Sequence, residues 1–442
     1  MLNPTGRTFH MTFTIGIRRE DKNKWERRVP LTPEHVKQLK EKNNINTIIQ
    51  PSSIRIFPDI SYELNGGKIN ENLSDASVVF AVKEIPDTLF KKNKTYVFFS
   101  HTIKGQSSNM PMLKKMMDLS CSLIDYERIV DSQGRRLVFF GKYAGLAGMI
   151  DTLWGYGQRL KHLGIKTPLS DIKQTVKYSS LDDAKKHLTM IGKQIQENGL
   201  PEQISPLIIG FAGYGNVSLG AQEILDLFPH KEIAPEDLKN INIKDAKKCL
   251  IKVVFKEEHI AQPKQRDAQF NLQEYYNHPD RYVPNFEQFL PNLSILMNCI
   301  YWDERYPRLV TKQWLKSQNR NDIRLQIIGD ISVDINGAIE FTEKVTTPAS
   351  PCFIYNYQKD VINDGFDGEG IVVMAIDNLP CELPQESSLA FSTALIDLVP
   401  IIVNTDFSQP LDELNLPIEL QHALILHRGK LTPEYLYIDK YL

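Results

Sequence analysis

The chain predicts an α/β architecture with largely parallel sheets, spread over two or three domains. Three observations carry that expectation. Short apolar runs alternate with helically periodic segments through the first part of the chain. An apolar strand at Leu207 to Ala212 leads straight into a glycine turn and a helix. At 442 residues the chain exceeds what one ordinary core accommodates.

Taken in order, Phe13 to Ile17 is a short strand, and Leu31-Thr32-Pro33-Glu34 starts a helix with Thr32 as N-cap and proline at the first helical position. Val36 and Leu39 give that helix an apolar edge. Strands then follow at Ile45–Ile49, Val78–Val82, Tyr96–Phe99, Leu123–Ile124 and Leu137–Phe140. The helix carrying Met112, Leu113, Met116 and Met117 is read as core filling. A small-residue helix begins near Ala144. Leu181, Ala184, Leu188, Ile191 and Ile195 recur at helical intervals and stop before Gly199. Further strands end at Ile295–Met297 and Leu325–Ile328. The tyrosine-rich stretch from Tyr275 to Phe286 reads as an irregular surface excursion.

Bulk properties remove several functions. A net charge of −2 offers no excess positive field for nucleic-acid phosphates. No apolar run approaches the roughly 18 residues that a membrane span needs. Five dispersed cysteines, none in a C-x-x-C pair, argue against a disulfide framework or structural zinc and for a reducing compartment. No metal site is expected. Met1 to His10 lacks the apolar centre of a secretory signal and reads as a short tail or a weak organellar presequence.

Gly213-Tyr214-Gly215-Asn216-Val217-Ser218 has the strand–turn–helix context of a dinucleotide fingerprint. The first glycine allows the turn, the second lets backbone approach the pyrophosphate, and the helix N-terminus meets its charge. Two features depart from the pattern: Ser218 occupies the third glycine position, and no clean strand ends on an acid about 20 residues on. Glu232 is the nearest candidate. The missing ribose acid favours NADP over NAD, although no basic pocket for the extra phosphate is evident.

Ionisable side chains gather where the first strands end. Arg18, Arg19, Arg27 and Arg28 lie in the loop after the first strand; Lys83 and Glu84, then His101, then Asp125 and Glu127 follow later strands, with Arg135 and Arg136 nearby. Each alone is an ordinary solvated strand end. Together they place cations and carboxylates on one rim, where ligands of parallel sheets bind. Arginines hold carboxylates in bidentate fashion. A lysine and a histidine tuned by burial and a glutamate can move protons near neutral pH. Beside a nicotinamide, that inventory suits amino-acid oxidation or reductive amination.

These residues also resemble a known family. Ile15 to Asp21 (IGIRRED) and Trp25 to Pro33 (WERRVPLTP) are similar to the opening of the lysine-ketoglutarate reductase domain of the aminoadipic semialdehyde synthase family. The likeness continues through FFSHTIK at Phe98, LIDYE at Leu123, GKYAGLAGMI at Gly141, GYGNVSLGA at Gly213, NCIYW at Asn298, DISVD at Asp330 and IDNLP at Ile376. The wider superfamily includes alanine dehydrogenase and the lysine-forming saccharopine dehydrogenases. The resemblance implies two Rossmann-like domains, the cofactor domain inserted into the substrate domain: 13–145 as the first part of the substrate domain, 146–347 for the dinucleotide, and 348–442 returning to complete the substrate domain.

It further implies Lys83 and His101 as the acid/base pair, Glu84 and Glu127 as their tuning carboxylates, and Arg28, then Arg18 and Arg136, as substrate-binding. Gly213, Gly215, Asn216, Val217, Ser218, Asn298, Asp330, Asp334, Asp377 and Leu379 would flank the cofactor. The implied reaction is NADPH-dependent condensation of L-lysine with 2-oxoglutarate to saccharopine, with NADP expected ahead of NAD. The dispersed cysteines and the absence of a secretory signal give the cytoplasm or mitochondrial matrix as the expected compartment. The family's bifunctional members continue into a second dehydrogenase domain, which leaves room for a separate saccharopine dehydrogenase chain as partner and for a homo-oligomer. The rival readings are an NAD-dependent saccharopine dehydrogenase working oxidatively and a catalytically silent cofactor-binding regulator. The stretch AIEFTEKVTTP from Ala338 is closer to the reductase, and the retained Lys83, His101 and Glu127 speak against the regulator.

Overall fold

The computed structural model describes residues 13–240, 246–319 and 323–442; the segment Met1 to His10 lies outside them. The chain forms two units. The described residues up to Phe140 join Pro384–Leu442 in the first, and Gly141–Leu383 is inserted as the second.

The first unit is built on six parallel strands, β1 (Phe13–Ile17), β2 (Ile45–Ile49), β3 (Lys68–Ile69), β4 (Val78–Phe80), β5 (Thr95–Phe98) and β6 (Ser122–Asp125), in the order β6-β5-β4-β1-β2-β3. Strands β4, β5 and β6 are buried at every residue, so their burial does not alternate, and Ile15, Ile17, Phe80, Val97, Phe98 and Ile124 are inaccessible to solvent. Helix α1 (Pro33–Asn43) starts where expected, the Thr32 hydroxyl accepting the His35 N–H, and stops at Asn44 with φ 54°. Helix α2 is Asp59–Leu64, and α3 (Met110–Asp118) buries Met110, Met112, Leu113 and Met116 as core filling.

The second unit opens on α4 (Gly141–His162) and α5 (Leu181–Asn198). Its main sheet contains β7 (Leu207–Ala212), β8 (His230–Ile233) and β9 (Leu250–Phe255), with α6 (Asn216–Leu225) following β7. Strands β10 (Ala261–Pro263) and β11 (Tyr282–Pro284) form a separate antiparallel ribbon. The main sheet continues with β12 (Ile295–Asn298), β13 (Ile327–Asp330), β14 (Cys352–Asn356), β15 (Val361–Asp364) and β16 (Ile371–Met374), in the order β15-β14-β16-β13-β12-β7-β9-β8. The return segment then adds β17 (Leu424–His427), antiparallel to β6, and β18 (Lys430–Leu431) to the first sheet.

Three expectations change. Leu137 to Phe140 is not a strand, because the edge of β6 that it would have used is taken by β17. Residues 348–383 stay in the second unit, since β16 pairs parallel with β13 and β14 caps β16 antiparallel; the return begins at Pro384. Tyr275 to Phe286 is ordered: Tyr275 and Tyr282 pack with Ala261 as a small buried cluster, and Phe286 is fully buried.

Among the described residues no single helix is long and apolar enough to cross a membrane, and no group of metal-ligating side chains clusters. The bent pair Pro384–Leu395 and Leu398–Asn404 has sufficient length and composition, but Phe391, Leu395, Val399 and Ile402 pack into the first core.

Candidate functional site

In the first unit, polar side chains gather beyond β1, β4, β5 and β6, in the loops that follow the strand ends. Glu84 is their centre. Its carboxylate accepts from His101 Nδ1 at 2.6 Å and pairs with Lys22 at 3.1 Å. Burial works to raise the Glu84 carboxyl, but the His101 hydrogen bond and the two cationic neighbours prevail and hold it at about 2. His101 sits with φ 50°, a left-handed conformation that costs free energy outside glycine and is tolerated best by residues such as histidine. Asn109 donates to the His101 carbonyl at 3.1 Å, and the ring stacks beside Phe99.

Lys83 is half-buried. Burial and then the Arg28 charge lower its amine, so its proton is released nearer neutrality than an exposed lysine's. Its backbone N–H donates to Glu20 Oε2 at 3.0 Å, and the Val82 N–H donates to Glu20 Oε1 at 2.6 Å. Glu20 was not among the expected residues. Only the meeting of β1 and β4 reveals its role, because 62 and 63 residues separate it from those amides.

The arginines divide. Arg28 is buried and held by Glu26 through two bonds, Nε–Oε1 at 2.8 Å and Nη2–Oε2 at 2.6 Å, with its guanidinium carbon 4.2 Å from the Phe140 ring centre. Phe140 stacks in turn on Phe391 of the return helix Pro384–Leu395. That helix also fixes the loop end: Val29 N–H donates to Ser388 Oγ and Thr32 N–H to Ser392 Oγ, both at 3.0 Å. Arg28→Ala therefore leaves Glu26 buried without its guanidinium. We expect a loss of about 3–5 kcal/mol of stability, read by chemical denaturation. Arg18 is buried and paired with Asp21; Arg136, half-exposed, pairs with Glu127. Asp125 lies under the rim, accepting from Ser100 N at 3.0 Å and Glu127 N at 2.8 Å.

The second unit holds the glycine turn. Gly213 has φ 96°, and its N–H donates to Phe255 O at 2.9 Å, locking the turn to the end of β9. A Cβ on Gly215 would meet nothing within 4 Å, so there is open space beside the N-terminus of α6 for a phosphate group. Asn216 and Val217 open that helix. Ser218, in the third glycine position, is fully buried and accepts from Gln222 at 2.9 Å. The close approach is displaced to Gly220 and Gly145: a Cβ on Gly220 would come 2.1 Å from Lys142 O, and one on Gly145 1.9 Å from Val217 O, so α4 and α6 cross at backbone distance.

Asn298 and Asp330 end adjacent strands and are joined, Asn298 Nδ2 donating to Asp330 Oδ1 at 2.8 Å. Thr342 donates to Asp330 Oδ2 at 2.6 Å. Burial pushes the Asp330 carboxyl up to about 6. Asp334 lies in the following turn. Asp377 is exposed, and Leu379 is buried against α4 beside Gly148.

Sequence order suggested Glu232 as ribose acid, yet β8 is the outer strand and β9 is the neighbour of β7. The residues at the end of the strand adjoining the turn are Lys256 and Glu257. Glu257, Gly213, Gly215, Tyr214 and Tyr301 help to line a cavity of about 310 Å³. Glu257 accepts the Tyr276 hydroxyl at 2.6 Å; Lys256 is exposed. Glu232 pairs with Lys252 at 3.4 Å.

Comparison with known proteins matches both parts of the chain. Residues 16–147 match the N-terminal domain of the alanine dehydrogenase/PNT family and residues 243–434 its C-terminal domain. The alpha-aminoadipic semialdehyde synthase of Arabidopsis thaliana is 39% identical across 96% of this chain and 41% of its own length; the mitochondrial one of Rattus norvegicus is 36% identical across 98% and 48%. This chain thus spans less than half of those relatives. The saccharopine dehydrogenase (NAD(+), L-lysine-forming) of Emericella nidulans is 25% identical over 84% of this chain and 87% of its own. An L-alanine dehydrogenase structure covers 97% of this chain with TM-score 0.62 at 17% identity, a likeness of fold. With both domains matched in chain order over most of its length, the chain belongs to the alanine dehydrogenase/PNT family.

Proposed function

We propose that this protein is a lysine-ketoglutarate reductase that condenses L-lysine with 2-oxoglutarate and reduces the product to saccharopine with NADPH. The observation that carries the reading is the Lys22–Glu84–His101 chain beside Lys83, whose amine is lowered by burial. Imine formation from an amine and a ketone needs one proton taken from nitrogen and one delivered to the departing water. A lysine and a carboxylate-bound histidine are suited to those two tasks. Saccharopine carries three carboxylates, and the arginines assigned to them, Arg18, Arg28 and Arg136, pair with Asp21, Glu26 and Glu127 within the chain. The names of the relatives that cover most of this chain point the same way.

The glycine turn, the open space at Gly215 and the α6 N-terminus fit a dinucleotide pyrophosphate. Bound there, the nicotinamide coenzyme would supply hydride. Asn298, Asp330, Asp334, Asp377 and Leu379 are assigned to its nicotinamide side. At the ribose, Glu257 is engaged by Tyr276, leaving exposed Lys256 to meet a 2′-phosphate.

Purified protein should oxidise NADPH only when lysine and 2-oxoglutarate are both present; turnover with ammonia and pyruvate instead would refute the assignment. Lys256→Glu should move the kcat/KM preference toward NADH by about tenfold or more, the effect of replacing an attractive by a repulsive phosphate contact. An unchanged coenzyme ratio would remove Lys256 from that role.

A further inference from the structure

Glu20 is 6% exposed and lies three residues beyond β1. Its two carboxylate oxygens take the two amides that follow the end of β4, Val82 N–H at 2.6 Å and Lys83 N–H at 3.0 Å. Strand β4 stops at Phe80, so these amides are beyond the ladder that would otherwise supply their acceptors. One rigid, planar group therefore replaces the ladder at two consecutive residues. The second of them carries the amine assigned above to proton transfer.

We propose that Glu20 is a positioning residue for Lys83: by clamping the Val82 and Lys83 amides it fixes the backbone that presents the lysine amine. This rests on the proposed role of Lys83. The groups that act on Glu20 are Glu26 and Arg18 of its own loop, and its charge is felt by Tyr126 beyond β6. Burial, then the Glu26 charge, pushes the Glu20 carboxyl up to about 7. An ionised carboxylate offers both oxygens to N–H donors, whereas the protonated form turns one into a donor. The clamp is complete above about pH 7 and weakens below it.

The test compares the full-length protein with Glu20→Gln and Glu20→Asp, measuring kcat and KM across the neutral range. In parallel, labelling of the Lys83 amine by an amine-reactive reagent is followed by mass spectrometry without substrate. Gln retains one acceptor and brings an N–H against the other amide; Asp keeps the charge but is one methylene short. Both should lower kcat about tenfold to a hundredfold, the scale of a misplaced reacting group, with KM little changed. Gln should also flatten the pH dependence of Lys83 labelling near pH 7, while Asp keeps a pH-dependent profile at a lower plateau. Wild-type rates and labelling profiles in both variants would overturn the proposal. So would failure of both to fold, which would make Glu20 a residue of the fold alone. If the wild-type protein does not turn over lysine with 2-oxoglutarate, the reaction assignment fails, yet the labelling still decides whether Glu20 governs Lys83.

Discussion

Lys83→Met and His101→Gln each lower turnover by about 10²-fold or more, the usual scale for losing a positioned acid or base. The two losses should differ in form. Methionine keeps the length and apolar stem of Lys83 but removes the amine, and the Glu20 clamp acts on the main chain, so the fold at β4 is retained. Turnover should fall with little change in melting temperature. Glutamine at 101 keeps a hydrogen-bonding group for Glu84 but has no ring nitrogen to take up or release a proton. The pH–rate profile of His101→Gln should therefore change shape as well as height. Steady-state kinetics with lysine and 2-oxoglutarate across pH checks both, and wild-type turnover in both variants would make the rim decorative.

The second large effect concerns stability. Asp151 on α4 and Glu382 are both buried in the second unit, and burial raises both carboxyls, Glu382 well above its ordinary range. The two carboxyls act on one another's titration, and Thr175 N–H donates to Asp151 Oδ1 at 2.8 Å. Two carboxyls in contact away from water hold a proton between them, because both cannot ionise there. Their folded pKa values lie above those of the unfolded chain, about 4 for each. The folded state then binds more protons, and the stabilisation is complete below the unfolded values and is lost as pH rises through the folded ones. Melting temperature should fall as pH rises above the unfolded values of about 4. In Glu382→Gln an amide N–H takes the place of the shared proton, so that decline should flatten relative to wild type. Parallel slopes in the two proteins would show that the pair does not control it.

Much of the fold is local. Thr32, Pro33 and the Val36/Leu39 edge specify the start and buried face of α1 within eight residues, and β1 and β2 coincide with their apolar runs. Helix α5 begins and ends where its periodicity does, with Ser180 capping it and Gly199 closing it at φ 77°. The rim was legible because parallel strands all end on the same side, so residues following successive strands become neighbours by topology alone. Lys83, Glu84 and His101 come to one side of the sheet in that way, and Glu84 meets His101 at 2.6 Å although 17 residues separate them.

Other features depend on which segment occupies a given sheet edge, and no short window encodes that. Leu137 to Phe140 has the composition of a strand but finds β6 already paired with β17, nearly 300 residues away in the chain. The strand end beside the glycine turn carries Lys256 and Glu257 rather than Glu232, because β8 and β9 enter the sheet out of sequence order. Glu20 looked like one more charge in a solvated loop until the end of β4 left two amides that needed its oxygens. The chain by itself determined its elements, its glycine turn and the side chains able to move protons, since these rest on propensity, capping and periodicity over a few residues. Tertiary structure alone decided strand neighbours, the start of the return at Pro384 and the partner of each buried charge, because hydrogen-bond satisfaction and burial are properties of the assembled sheets.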